Sequence, residues 1–246
     1  MPQSKKKRTL IAVLSGVVVV ILAAIIGPIV YARTQSAAPP PLSVSSPSVS
    51  PTSSATSGTD TSPSPSASNT ADSTASDDGT WKVADGSEAG YRVDEVLNGQ
   101  DVTVVGRTEK VSGTVEISAN QLTAAEIEVD VASVATDTDR RDAYFRSTAM
   151  RTDDHPTATF TLTQPVELPE IGADAVKVKT TGNLELAGES RPVTATIEVV
   201  RAGDSVRTSG SVDVTFADWG IEAPNLGFVK VEDKGQIEFL VELEQQ

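Results

Sequence analysis

Cysteine is absent from this 246-residue chain. That excludes disulfides, thiolate metal sites, a cysteine nucleophile and a lipidated cysteine. There is one histidine, His155, so a histidine-rich metal centre is excluded too, although carboxylates remain able to hold a hard cation. Basic residues are outnumbered, 20 against 34 acidic ones, for a net charge of −14. The basic residues are also unevenly placed. The first 36 residues carry +5 and the tract up to Gly79 carries −4, which leaves −15 on the remainder. A domain that acidic repels nucleic acid and anionic membrane surfaces.

Long apolar runs are scarce as well, with one exception. Residues 10–31, from Leu10 to Tyr31, hold no charge. At about 1.5 Å per residue such a run spans a hydrocarbon core of about 30 Å, and in lipid a helix is the conformation that satisfies its backbone. Lys5, Lys6, Lys7 and Arg8 precede it and only Arg33 follows. The expectation is a transmembrane signal-anchor helix with residues 1–9 as a cytoplasmic basic tail and the rest of the chain outside. A cleavable signal peptide, cut after Val30 and Ala32, is the alternative; its apolar region would ordinarily be about 7–15 residues. Either way the remainder is exported.

Residues 32–79 are Ser, Thr, Pro, Ala and Asp with few large apolar side chains. Such a tract buries too little surface to offset chain entropy and is expected to be a disordered linker, with an end-to-end distance of about 35–40 Å. Residues 80–246 are large enough for one packed domain.

That domain alternates with period two, the signature of half-buried strands. In Glu126-Ile127-Glu128-Val129-Asp130-Val131 every second residue is acidic. Val193, Ala195, Ile197 and Val199 share one face; so do Val212, Val214 and Phe216, and Ala158, Phe160 and Leu162. Ile237, Phe239 and Val241 alternate with Glu238 and Glu242, Leu240 being the exception. Turn residues such as Asn98-Gly99, Ala187-Gly188 and Ala202-Gly203 separate the runs. About eight strands with short connections make an antiparallel meander, and its apolar face must close on itself or be covered. An eight-stranded barrel has room for packed side chains or for one ligand. One segment, Thr136 to Met150, breaks the alternation. Thr136 or Asp137 is placed to cap a short helix, whose Tyr144 and Phe145 would turn toward the barrel as a lid.

Four stretches in order resemble the YceI-like, polyisoprenoid-binding domain family. They are Thr80-Trp81-Lys82-Val83 with Val111-Ser112-Gly113-Thr114-Val115; Asp139-Arg140-Arg141-Asp142-Ala143-Tyr144-Phe145-Arg146-Ser147 with His155-Pro156-Thr157-Ala158-Thr159-Phe160; Thr181-Gly182-Asn183-Leu184-Glu185-Leu186-Ala187-Gly188 with Arg191-Pro192-Val193; and Ala217-Asp218-Trp219-Gly220-Ile221. The resemblance covers Thr80 to Leu243. It implies an all-β, eight-stranded antiparallel, lipocalin-like barrel with a short helical insertion, and an isoprenoid lipid or quinone tail held inside. The chain departs from the family pattern at Ala143-Tyr144, where a histidine is usual, and around Ala149-Met150-Arg151. His155 takes a place that is commonly aromatic.

Phe145, Met150, Phe160, Phe216, Trp219 and Phe228 are the candidate lipid contacts, because aromatic and methionine side chains suit a long irregular apolar ligand. Ala158, Gly182 and Ala195 leave room on the apolar face. Arg140, Arg141, Arg146 and Arg151 are expected to pair locally with Asp137, Asp139, Asp142, Asp153 and Asp154; the alternative is a phosphate or carbonyl contact at the barrel mouth. No catalytic residues, cofactor or metal are expected. Ser147, His155 and Asp142 lack a nucleophile elbow, and Asp137-Thr138-Asp139 lacks the spacing of a calcium loop. A displayed interaction or adhesion module with a filled barrel is the second reading.

Overall fold

A computed structural model describes residues 38–45 and 77–246. The run at 10–31 and most of the tract lie outside the described residues. Among those described, no helix is long and apolar enough to cross a membrane.

Among the described residues, eleven strands make one antiparallel sheet: β1 Gly79–Val83, β2 Glu88–Leu97, β3 Gln100–Thr108, β4 Val111–Ser118, β5 Gln121–Asp130, β6 Thr157–Leu162, β7 Val166–Glu167, β8 Val176–Leu186, β9 Glu189–Ala202, β10 Ser205–Thr215 and β11 Val229–Gln245. They build an eight-stranded barrel because two pairs are halves of longer strands. β1 and β2 run on from each other, as do β3 and β4. β1 pairs with β4, and β2 with β3, in nearly one register. The long β11 pairs with β2 through Leu240 and with β1 from Leu243, which closes the ring. The circuit continues through β5, β6, β8, β9 and β10 back to β11, while β7 only extends the edge of β5.

Alternation assigns the two faces as the sequence indicates. Ile127, Val129, Phe160, Leu184, Ala195, Ile197, Val212, Ile237 and Phe239 all point inward. The floor of the barrel lies at the β4–β5 and β9–β10 turns. There Trp81 is 1% exposed and packs with Val115, Ile117, Leu122, Leu168, Val206 and Leu243. Its indole N–H donates to the Asp77 carbonyl at 2.9 Å, and the Arg201 guanidinium lies 5.8 Å from the ring centroid while pairing with Asp77.

The mouth is at the other end, at the Asn98-Gly99 and Ala187-Gly188 turns and the segment after β10. Gly188 has a φ of +87°, and a Cβ there would sit 2.5 Å from the His155 ring, so the turn needs glycine for both its conformation and its space. Helix α1, Asp139–Tyr144, continues into a π turn at Phe145–Ala149 and lies over the mouth beside β2 and β3. The expected cap is displaced: the helix starts from Thr138, with no side-chain cap bond. The buried Asp142 carboxylate instead accepts the Thr136 N–H at 2.9 Å and its hydroxyl at 2.7 Å, folding 136–138 back on the helix.

The linker expectation needs correcting at both ends. Asp77 and Asp78 belong to the domain, through Arg201 and through the Asn120 N–H. Residues 38–45 form no regular element, turn at Val44 and Ser45, and pack on the outside of the barrel, with Leu42 and Val44 buried. These are two of the few large apolar side chains of the tract, and the three prolines before them have little conformational entropy to lose.

Candidate ligand cavity

The inward residues do not fill the barrel. They enclose a cavity of about 640 Å³, within the usual range of small-molecule sites. Its walls are almost entirely apolar, with Val115, Leu168 and Ile171 toward the floor, Ile127, Ala158, Leu184, Ala195 and Val212 further up, and Phe145, Met150 and Phe216 nearer the mouth. Ala158 and Ala195 line the space, as their small size suggested. Gly182 contributes differently: a Cβ there would lie 2.4 Å from the Phe160 ring, so the missing side chain is what lets that ring lie flat along the wall.

Five of the six candidate contacts, Phe145, Met150, Phe160, Phe216 and Phe228, line the cavity. Trp219 does not. It is buried behind the wall residues Val131, Leu186 and Val214 and does not itself border the space, because the turn Phe216–Trp219 after β10 carries its side chain off the strand's inward face.

Residues of β2 were missed. Tyr91 points inward and stacks on Phe145 with ring centroids 4.9 Å apart, which fastens the π turn to the barrel wall. Burial pushes its phenol pKa up, with Arg141 opposing, so the hydroxyl stays neutral. Glu95 is also inward and buried, and meets Arg141 of α1 at 3.4 Å; Arg141 in turn pairs with Asp137. Arg140 lines the same mouth. A glutamate at an inward strand position carries no period-two signal, and its partner is 46 residues away. Deeper in, the Thr180 hydroxyl donates to the Ala195 carbonyl at 3.4 Å. The Thr208 hydroxyl, on the wall contributed by β10, is buried with no protein partner.

The arrangement is suited to holding an apolar molecule. Asp142 is engaged with Thr136, Ser147 bonds Thr148, and His155 packs against Gly188, so these three residues form no relay. Arg141 pairs locally with Asp137, as expected, while Arg151 donates to the Ala187 carbonyl at 2.8 Å and so ties the segment after the π turn to the β8–β9 turn.

Comparison with curated proteins finds no match. Among solved structures, a polyisoprenoid-binding domain from Saccharophagus degradans implicated in plant cell wall breakdown is similar, with a TM-score of 0.55 and 18% identity over 68% of this chain and 98% of that one. BcnA of Burkholderia cenocepacia has a TM-score of 0.49 and 20% identity, over 62% and 95%. The YCEI protein of Campylobacter jejuni has a TM-score of 0.47 and 19% identity, over 57% and 85%. The first of these likenesses bears on the fold alone. The family profile described as YceI-like domain matches residues 81–243, more than half of the chain and all of the barrel but the outer ends of β1 and β11, and the protein therefore belongs to the YceI-like domain family.

Proposed function

We propose that this protein is a membrane-tethered, extracytoplasmic binding protein that holds the tail of an isoprenoid lipid, of a neutral quinone-like kind, inside its barrel, and that it is not an enzyme. The observation that carries the reading is the unfilled apolar cavity of about 640 Å³ along the barrel axis. A packing module needs no such space, because an empty interior forfeits contacts that a filled core would make. The similar domain from Saccharophagus degradans is described as polyisoprenoid-binding, which supports the ligand class. A neutral head group fits the acidic domain better than a phosphate does. The unpartnered Thr208 hydroxyl is a place where a carbonyl oxygen on the ligand would be received. Tethering and export rest on the run at 10–31 and the charges flanking it.

Native mass spectrometry of the exported protein, purified without harsh detergent, tests the reading. A bound mass that extracts into organic solvent as an isoprenoid is the expected result. A bare protein mass that persists after incubation with quinones of several tail lengths would favour a displayed module with an unoccupied barrel.

A further inference from the structure

Leu240 breaks the alternation of β11, and its surroundings explain why. It points away from the cavity, as Glu238 and Glu242 do, yet Leu240 and Glu238 are each 3% exposed. Its neighbour across the sheet, the outward Ser209, is buried as well. An outer barrel wall is ordinarily wet. This one is covered by residues 38–45, which cross it from β3 and β2 over β11 to β10. Arg92 donates to the Pro39 carbonyl at 2.7 Å, Arg107 to that of Pro40 at 2.5 Å and Arg207 to that of Val44 at 3.2 Å. The same arginines pair with Glu238 and Glu242, so the groove presents fixed donors to carbonyls of an uncharged, proline-rich segment. Proline carbonyls suit it, since such a segment has few N–H groups that would need partners.

The direction of the crossing matters. Val44 lies toward the floor, because Arg207 is near the β9–β10 turn. Ala38 lies at the other end, in a crevice with Thr103, Ala135, Thr136 and Arg141 at the foot of the lid. The chain therefore reaches the barrel from the mouth side. Only residues 32–37 separate Ala38 from the uncharged run, a reach of about 20–25 Å at most; residues 32–76, if nothing docked, would reach about 150 Å. The mouth also carries the two large apolar side chains left exposed among the described residues, Leu226 at 58% and Phe228 at 51%. Both line the cavity as well.

We infer that residues 38–45 are a built-in strap whose docking on the outer wall turns the barrel mouth toward the bilayer, with Leu226 and Phe228 as the tips that touch it. This rests on the tethered reading above. The strap removes most of the tract from the tether and fixes which end of the barrel faces the lipid. A lipid passing between membrane and cavity then crosses little water. The net acidity of the domain favours a neutral, zwitterionic lipid surface over an anionic one.

The absence of native cysteine makes the test direct. Full-length chains bearing one cysteine, Gln100→Cys at the mouth or Asp204→Cys at the floor, are labelled with a fluorophore. They are reconstituted in phosphatidylcholine vesicles containing a head-group quencher. The mouth label is expected to be quenched several-fold more than the floor label. The double substitution Leu42→Asp with Val44→Asp should erase the difference and speed amide exchange at Leu42, Ser43 and Val44. A flexible insert of about 40 Gly/Ser residues after Gln35 should erase the difference but leave that protection intact, so the result does not depend on folding of the first variant. Equal quenching of both labels in the native chain overturns the inference. So does a difference that survives the insert. A chain that does not stay with the vesicles overturns both the tether and the orientation. Oriented vesicle-bound protein that carries no lipid mass sinks the carriage reading and leaves the strap standing.

Discussion

Phe160 projects into the cavity from β6 with its ring along Gly182 of β8, so it meets any apolar occupant face-on. Truncation to alanine removes contacts without removing the space around them. Phe160→Ala is expected to weaken binding of a quinone tail by about 1–2 kcal/mol, roughly 5- to 30-fold, with the barrel still folded. Phe160→Glu places a carboxylate with no partner in an apolar cavity and should abolish binding at some cost in stability. Titrations with quinones of increasing tail length on the native protein and both variants check this. Native-like affinity in Phe160→Glu would place the ligand outside the barrel.

Helix α1 and its π turn are held to the barrel by two unlike contacts, the Tyr91–Phe145 stack and the Glu95–Arg141 pair. Arg141→Leu leaves the buried Glu95 facing an apolar cavity without its cation and is expected to cost about 2 kcal/mol. The double variant with Glu95→Leu should recover most of that. Urea unfolding of the four proteins of this cycle measures the coupling; additive losses would mean that the pair does not latch the lid. On the outer wall, burial raises the pKa of Glu88, with Arg107 opposing and Glu109 and Glu238 adding to the rise. The folded state thus binds a proton more tightly at Glu88 than the unfolded chain does. Stability contributed at this residue is present at low pH and falls as pH rises from the ordinary glutamate value through the raised one. Glu88→Gln should flatten that part of the stability profile and gain at neutral pH. Thermal melts across the acid-to-neutral range would show it, and an unchanged slope would count against the assignment.

For the molecule as a whole, the domain is strongly acidic and its cavity nearly uncharged. A neutral ligand then senses little of the protein's field. Raising salt from low to several times physiological ionic strength should leave the affinity for a quinone tail unchanged, whereas a polyprenyl phosphate would bind better as screening relieves its repulsion. Isothermal titration at several salt concentrations separates the two. Affinity should also climb with tail length and then level off, since each buried methylene adds about 0.8 kcal/mol less ordering costs and the cavity is finite.

Alternation by itself determined which side chains of β5, β6, β8, β9, β10 and β11 point inward, because a strand places successive residues on opposite faces whatever surrounds it. The apolar face then required closure, and the order of turns made an antiparallel barrel the natural answer. Tertiary structure alone decided the rest. Whether the inward faces meet or stand apart depends on the barrel's girth, so the cavity was not legible in any one strand. Glu95 and Arg141 form a site only because the closed sheet brings β2 under α1. Trp219 left the wall because a turn rotated it. Leu240 looked like a break in β11 until the strap supplied it with an apolar cover from about 200 residues earlier, a contact between distant segments that neither local pattern contains.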